Sequence, residues 1–149
     1  LPTEYLKIEV TESAYVEDTA VVRKTVQKLR EMGFLVLMDD FGSGYSSLNV
    51  LKDYHFDVLK IDMKFLVGFG TNKKTTTIIN NIITLTQQLS MLSLTEGVET
   101  EAQFEFLKSI GCNRVQGYLF GKPTPIDVLR KRIHDHEITV SPEFLNASA

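Results

Sequence analysis

Polar or charged side chains recur at the ends of five short apolar segments of this chain. In chain order they are Glu9, Asp39 with Asp40, Lys60 with Asp62, Glu96 with Glu99, and Gln116. Several carboxylates brought close together repel one another, so they need a counter-ion or their pKa values must rise. Clusters of carboxylate oxygens suit hard cations such as Mg²⁺, Mn²⁺ or Ca²⁺. Two such ions side by side are typical of phosphodiester hydrolysis, in which a nearby lysine would neutralise the phosphate or orient a water.

Several of these residues also have a simple structural interpretation. Glu9 alone would be a solvated residue at a strand end, and Lys60 alone a surface charge. Asp39 and Asp40 before a glycine-rich segment would be turn residues, and Gln116 would be a polar residue with satisfied hydrogen bonds. The recurrence of such groups at the same point of every segment favours one shared site.

Phe41, Gly42, Ser43 and Gly44 follow the two aspartates directly. Glycine permits backbone conformations that other residues avoid, so this segment is either a tight turn or a mobile loop that closes over the site. The three histidines of the chain show no ligand spacing with the acids. No GxGxxG or Walker A pattern is present, which argues against a nucleotide cradle of those kinds.

The elements that must position these residues follow from hydrophobic periodicity. The apolar, β-branched segments predict five strands: Leu6–Val10, Phe34–Met38, Val58–Ile61, Leu92–Thr95 and Arg114–Leu119. Strands that alternate with helices predict a parallel sheet, and continuous apolar runs indicate strands covered on both faces. Because the carboxyl ends of parallel strands share one edge, the polar residues should meet there.

Helical spacing fills most of the segments between these strands. Apolar positions predict one helix that ends near Gly33 and another through Ile78, Ile82, Leu85 and Leu89. A third should open with a capping box at Thr100–Gln103 and end at Gly111. A short helix is expected around Ser47–Tyr54, and a last one from about Ile126 to His136.

Five consecutive βα units belong either to a doubly wound sheet or to part of a (β/α)8 barrel. A complete barrel needs about 250 residues, so the 149 residues of this chain would supply little more than half of one.

Composition narrows the functional classes. The formal net charge of −3 and the pI of about 5.6 argue against binding a nucleic-acid polymer. Cys112 is the only cysteine, so no internal disulfide can form, and a reducing, cytoplasmic location is expected. No apolar run reaches the roughly 18 residues of a membrane span. Since the chain begins without Met, we expect it to be part of a longer protein, which other domains could anchor to a membrane.

Separated motifs with the right order and spacing resemble the EAL-domain family of bacterial cyclic di-GMP phosphodiesterases. They are Glu9-Val-Thr-Glu12, Asp39-Asp-Phe-Gly-Ser-Gly-Tyr-Ser-Ser-Leu48, Lys60-Ile-Asp62, Glu96-Gly-Val-Glu-Thr100, Gln116-Gly-Tyr118 and Pro123. The second is long and highly specific, and the resemblance covers the chain up to about residue 130. It implies an α/β fold, here a partial (β/α)8 TIM-type barrel, and hydrolysis of cyclic di-GMP to linear pGpG.

The resemblance also implies roles for individual residues. The metal ligands would be Glu9, Asp39 as the bridging ligand, Asp40 and Glu96, which together hold two Mg²⁺ or Mn²⁺ ions. Glu96 would also act as general base, and Lys60 would lie near the catalytic water and the phosphate. Asp62, Glu99 and Gln116 match accessory positions around the metals and the substrate. Glu12 would hold the loop that contains Phe41, Gly42, Ser43 and Gly44, a loop that the family also links to dimerisation.

The Glu-Ala-Leu signature of the family should lie upstream of Glu9, together with further metal and substrate ligands. We therefore expect residues 1–137 to be the C-terminal portion of an EAL domain and residues 138–149 to be a frayed tail. On this interpretation the longer protein is the enzyme and the chain alone is inactive. Open strand edges and an apolar face should also favour a homodimer or a strand-swapped oligomer; a compact monomer in sedimentation would count against this.

Two other functions stay open. The chain could be a catalytically inactive EAL-like module that binds cyclic di-GMP or mediates dimerisation. It could also belong to a metal-dependent lyase or aldolase on a TIM-type scaffold. The second of these would explain the acids but not the stretch from Asp39 to Leu48.

Overall fold

One sheet of five parallel strands forms the centre of the computed structural model, which describes residues 2–11, 14, 19–42, 47–135, 137 and 138. The strands are β1 Lys7–Thr11, β2 Leu35–Phe41, β3 Val58–Ile61, β4 Leu92–Thr95 and β5 Arg114–Val115. Their order across the sheet is their order in the chain, and each neighbouring pair is parallel. The five predicted strands and their parallel arrangement are thus confirmed.

This strand order distinguishes the two architectures that the sequence allowed. A doubly wound sheet reverses its strand order at a switch point, whereas here every strand is added on the same side of the one before it. Right-handed crossovers that always advance in one direction place all connecting helices on one face of the sheet. The chain therefore has an α/β fold in which five consecutive βα units form part of a (β/α)8 barrel.

The helices that connect or follow these strands were also largely predicted. They are α1 Thr19–Glu31, α2 Ser47–Asp53, α3 Lys73–Gln88, α4 Glu101–Ser109 and α5 Ile126–His134. The capping box of α4 is present: Thr100 Oγ1 accepts a hydrogen bond from the Gln103 backbone, and the Gln103 side chain accepts one from the Thr100 backbone. Gly111 follows with a positive φ of 79°, as expected just after a helix end. Asp135 caps α5, and the predicted end at His136 lies outside the described residues.

Two apolar clusters hold the helices against the sheet. In the first, Met38 and Leu59 of the sheet pack near Val26 of α1 and Leu51 of α2. The second cluster joins β3 to the two later helices through the fully buried side chains Ile61, Ile79, Ile83, Val98 and Leu107. Because both clusters involve β3, the middle strand is fixed from both directions, and β3 is buried along its whole length.

Two strand ends differ from the prediction by more than one residue. β2 continues through Asp39 and Asp40 to Phe41 rather than ending at Met38. β5 stops at Val115 rather than continuing to Leu119. After Val115 the backbone bonds to the turn that follows β4: Val98 N–H donates to the Gln116 carbonyl, and Leu119 N–H donates to the Val98 carbonyl. These bonds draw the chain away from the strand direction.

The described residues also form two short 3₁₀ turns, Thr3–Tyr5 and Met63–Leu66. The second lies directly after β3, at the edge where the polar residues were expected. Among the described residues, no helix combines the length and the apolar character that a membrane crossing requires.

Candidate active site

Lys60 lies at the centre of a cluster of acids at the carboxyl edge of the sheet. Its Nζ is 2.9 Å from Glu9 Oε2, 2.9 Å from Asp39 Oδ1 and 3.1 Å from Glu96 Oε1. Only 9% of the Lys60 side chain is exposed, so the ammonium is enclosed by its partners. The acids come from β1, β2 and the end of β4, as the strand-end pattern predicted.

The strand registers explain why these side chains share one face. Glu9 is paired with Leu37, so Asp39, two residues beyond Leu37, projects on the same side of the sheet as Glu9. Lys60 is paired with Leu94, and Glu96 follows Leu94 by two residues. Parallel register and period-two alternation therefore direct all four groups into the space that the curved sheet surrounds.

Asp39 and Asp40 form a bulge in β2. The register between β2 and β3 shifts between Met38 and Phe41, and Asp40 has a positive φ of 56°. The Asp40 backbone N–H donates to Asp39 Oδ1 at 3.0 Å. Bulges of this kind commonly redirect side chains beside active sites, and aspartate tolerates a positive φ better than most residues. As a result Asp39 contacts Lys60, whereas the ion pairs of Lys60 within the described residues do not include Asp40.

Negatively charged groups outnumber positively charged ones in this cluster. Three carboxylates surround one ammonium. Burial lowers the pKa of Lys60, but hydrogen bonds to Glu9, Asp39 and Glu96 outweigh it, and the net effect is a pKa raised above the ordinary lysine value. Lys60 is therefore a fixed positive charge, and the site retains an excess of negative charge that a cation could neutralise.

The acids are not arranged as a preformed metal cage. Within the part of the chain that the structure describes, no three Asp, Glu, His or Cys side chains are placed so that they could hold a metal ion. The carboxylates of Glu9, Asp39 and Glu96 converge on the Lys60 ammonium instead. The donor set nonetheless fits a hard divalent cation, because every donor is a carboxylate oxygen and all three lie around one positive charge.

The predicted accessory residues lie at the same edge but make local contacts. Asp62 caps the 3₁₀ turn after β3, since its Oδ1 accepts a hydrogen bond from the Lys64 backbone at 2.7 Å. Glu99 is exposed, and its backbone N–H donates to Gln103 Oε1. Gln116 is exposed, and its backbone bonds to Thr95 and Val98, beside the turn that carries Glu96.

The prediction that a loop begins at Phe41 is wrong. Phe41 belongs to β2, is only 4% exposed and packs in the first apolar cluster. The strand does not end at the aspartates because the bulge returns the chain to a buried position. Gly42 follows in a turn with φ of 90°. The remaining predicted loop residues, Glu12, Ser43 and Gly44, lie outside the described residues.

Gly117 contacts the turn that follows Glu96, and the sequence pattern did not predict this contact. A side chain there would run into the backbone of Val98, whose carbonyl, nitrogen and carbon are all in close approach. Together with the hydrogen bonds of Gln116 and Leu119 to Val98, this contact holds the segment after β5 against the turn after Glu96. The signal in the sequence was the glycine itself, but nothing local shows that its partner is a segment nearly 20 residues away.

The close approach predicts a large effect for Gly117→Ala. Because backbone atoms cannot move aside, we expect the added methyl to lower the free energy of unfolding by about 1–3 kcal/mol, the usual range for overpacking. The reference is the unsubstituted protein, because the described glycines with room for a methyl, Gly70 and Gly121, have positive φ values at which alanine is itself strained. Thermal unfolding of both proteins checks this prediction, and equal melting temperatures would contradict the packing described here.

Similar sequences and similar solved structures both point to one protein family. A family model for the EAL domain matches residues 1–123. The cyclic di-GMP phosphodiesterase NbdA of Pseudomonas aeruginosa is 36% identical over 138 residues, which are 93% of this chain and 18% of NbdA. The chain spans 15–20% of the length of the curated relatives it matches.

Solved structures with the same fold contain ligands. The PaMucR phosphodiesterase in complex with c-di-GMP matches with a TM-score of 0.79 and 40% identity, over 87% of this chain and 52% of that one. Klebsiella pneumoniae BlrP1 with manganese and cyclic di-GMP matches with a TM-score of 0.76 and 31% identity, over 83% of this chain and 31% of that one. BlrP1 has also been solved with calcium and cyclic di-GMP.

Proposed function

This chain belongs to the EAL domain family, and we propose that it forms part of a metal-dependent phosphodiesterase that hydrolyses cyclic di-GMP to linear pGpG. The observation that carries the proposal is the contact of Lys60 with Glu9, Asp39 and Glu96 at the carboxyl edge of the sheet. Relatives whose names give this activity or this ligand support the choice of substrate. Because the chain covers 52% of PaMucR, the activity is proposed for the intact domain and the chain alone is proposed to be inactive.

The carboxylates define which residues would hold metal. Glu9, Asp39, Asp40 and Glu96 would supply the oxygen ligands for Mg²⁺ or Mn²⁺, with Asp39 shared between two ions. When bound, such ions stabilise charge on phosphoryl oxygens and make water a stronger nucleophile. The crystallised manganese complex of BlrP1 supports a divalent cation at this kind of site.

The residues of this chain would carry the rest of the chemistry. Hydrolysis joins a water oxygen to phosphorus, breaks one ester P–O bond of the ring and releases a ribose hydroxyl. Glu96 is proposed to accept a proton from the water, since it lies beside Lys60 at the open edge of the sheet. Lys60 remains positive through its contacts, so it would stabilise the charge that develops on the phosphate. Asp62, Glu99 and Gln116, at the same edge, are proposed to surround the metals and the substrate.

A hydrolysis assay tests this function. The intact domain is incubated with cyclic di-GMP and Mn²⁺ or Mg²⁺, and pGpG is quantified by chromatography, with this chain alone assayed in parallel. We expect pGpG from the intact domain, loss of activity when a chelator removes the metal, and recovery when Mn²⁺ is restored. Binding of cyclic di-GMP without pGpG would instead support the inactive binding module. Equal activity of the chain alone would contradict the proposal that further ligands are needed.

A further inference from the structure

The 3₁₀ turn after β3 is held rigidly at the carboxyl edge of the sheet. Asp62 accepts a hydrogen bond from the Lys64 backbone at 2.7 Å, and its own carbonyl accepts one from Phe65 at 3.0 Å. Leu66 anchors the end of the turn in the second apolar cluster, where it is 5% exposed. The turn Asp62–Leu66 therefore has a fixed position relative to Lys60, two residues before it.

Phe65 of this turn lies against the backbone that follows the two aspartates. A methyl placed on Gly42 would run into Cζ and Cε2 of the Phe65 ring. Gly42 is two residues beyond Asp40, and its φ of 90° is one that glycine adopts readily. The ring thus packs directly on the residue that follows Phe41, where β2 returns to register after the Asp39–Asp40 bulge.

Met63 makes the equivalent contact on the other side. A methyl placed on Gly97 would run into Cβ of Met63, and Gly97 is the residue directly after Glu96. The Glu96 backbone N–H also donates to the Ile61 carbonyl at 3.0 Å, one residue before Asp62. One short turn therefore touches both glycines that follow the acids of the neighbouring strands.

We propose that the turn Asp62–Leu66 positions the acids of the site, with Phe65 holding the Asp39–Asp40 bulge and Met63 holding Glu96. This inference rests on the proposed function for what the positioned acids do. The contact of Phe65 with Gly42 is stronger than that of Met63 with Gly97, because the Phe65 ring is half-buried and packs against the second apolar cluster. Met63 is 54% exposed and flexible, so its backbone and Cβ carry most of its contact. Phe65 is a positioning residue: it contacts Gly42, and it acts on the acids through the backbone.

Phe69 provides a matched control. It lies in the same connection between β3 and α3, is half-buried like Phe65, and packs on Phe106 at a ring-centroid distance of 5.2 Å. Truncating either ring to alanine removes the same atoms from the same connection. Only Phe65, however, contacts a glycine beside the acids.

The test uses the intact domain with Phe65→Ala, Phe65→Leu and Phe69→Ala. Mn²⁺ affinity is measured by titration with electron paramagnetic resonance, and kcat and KM for cyclic di-GMP are measured separately. We expect Phe65→Ala to weaken Mn²⁺ binding about 10–100-fold and to lower kcat by a similar factor, the range seen when residues that orient metal ligands are removed. Phe65→Leu should lie between Phe65→Ala and wild type, and Phe69→Ala should change neither quantity.

Mn²⁺ affinity and kcat within about twofold of the Phe69→Ala values would overturn the inference. If Phe65→Ala does not fold, Phe65→Leu provides the same test. A Mn²⁺ affinity and a kcat that match those of Phe69→Ala overturn the inference, and a lower affinity and a lower kcat support it. A wild-type domain that binds Mn²⁺ but forms no pGpG would contradict the proposed function, and the Mn²⁺ titration would still test the positioning by Phe65.

Discussion

Replacing Lys60 with methionine in the intact domain should slow the proposed hydrolysis of cyclic di-GMP by about 10²–10³-fold, the usual effect of removing one group that stabilises transition-state charge. Methionine keeps much of the length and volume of lysine, so the buried middle of β3 remains filled. The variant removes only the ammonium that contacts Glu9, Asp39 and Glu96. The loss should appear in kcat at saturating metal, because added cation cannot replace the positive charge that Lys60 is proposed to supply to the phosphate.

The free energy of unfolding of this variant should fall by less than the loss of a fully buried ion pair would predict. Breaking a buried ion pair costs about 3–5 kcal/mol when the remaining charge is cut off from water. Here Glu9 is 46% exposed and Glu96 is 27% exposed, so these two carboxylates can be hydrated once Lys60 is gone. Asp39 is only 18% exposed, but it keeps the hydrogen bond from the Asp40 backbone. Lys108→Met, at an exposed lysine of α4, is the control for the loss of one positive charge. If Lys60→Met retained wild-type kcat, Lys60 could not have the proposed role.

The second large effect is expected for Asp39→Asn. Asparagine has the same shape and its amide oxygen can still accept the hydrogen bond from the Asp40 backbone, so the bulge should persist. The variant loses the negative charge that contacts Lys60 and that would bind metal. We expect Mn²⁺ affinity and activity each to fall by at least about 10–100-fold, with more activity recovered at high Mn²⁺ than for Lys60→Met.

Asp53→Asn is the matched control for Asp39→Asn. Asp53 is an exposed aspartate at the end of α2 whose contact with Arg23 is 4.0 Å long. The same loss of charge there should leave Mn²⁺ affinity and kcat unchanged. Equal Mn²⁺ affinity in Asp39→Asn and Asp53→Asn, measured by titration, would remove Asp39 from the set of metal ligands.

The shared position of Lys60 and the acids at one edge of the sheet could be predicted because it depends on regular geometry. Parallel strands end at one edge and alternate with period two, so Glu9, Asp39, Lys60 and Glu96 had to face the same space. Their recurrence along the chain was enough to predict that they meet. The sequence could not show that the acids converge on the Lys60 ammonium, since that depends on side-chain conformations and on which cations are present.

Irregular backbone marks the limit of such reasoning. Asp39 and Asp40 interrupt an apolar run and therefore read as the end of a strand, yet a bulge at Asp40 carries β2 on to the buried Phe41. The early end of β5 depends on contacts of Gly117 with Val98, which are distant in sequence. Hydrophobic periodicity indicates which face of a strand or helix a residue occupies. It does not indicate where two backbone segments come into contact.

Anomalous diffraction from the intact domain crystallised with Mn²⁺ and cyclic di-GMP tests whether these carboxylates hold metal beside the substrate. We expect manganese peaks bound by Glu9, Asp39, Asp40 and Glu96, with Lys60 displaced from the centre of the carboxylates toward the phosphate. Crystals that contain cyclic di-GMP at this edge of the sheet, but hold no manganese at these carboxylates and leave Lys60 paired with all three acids, would contradict it.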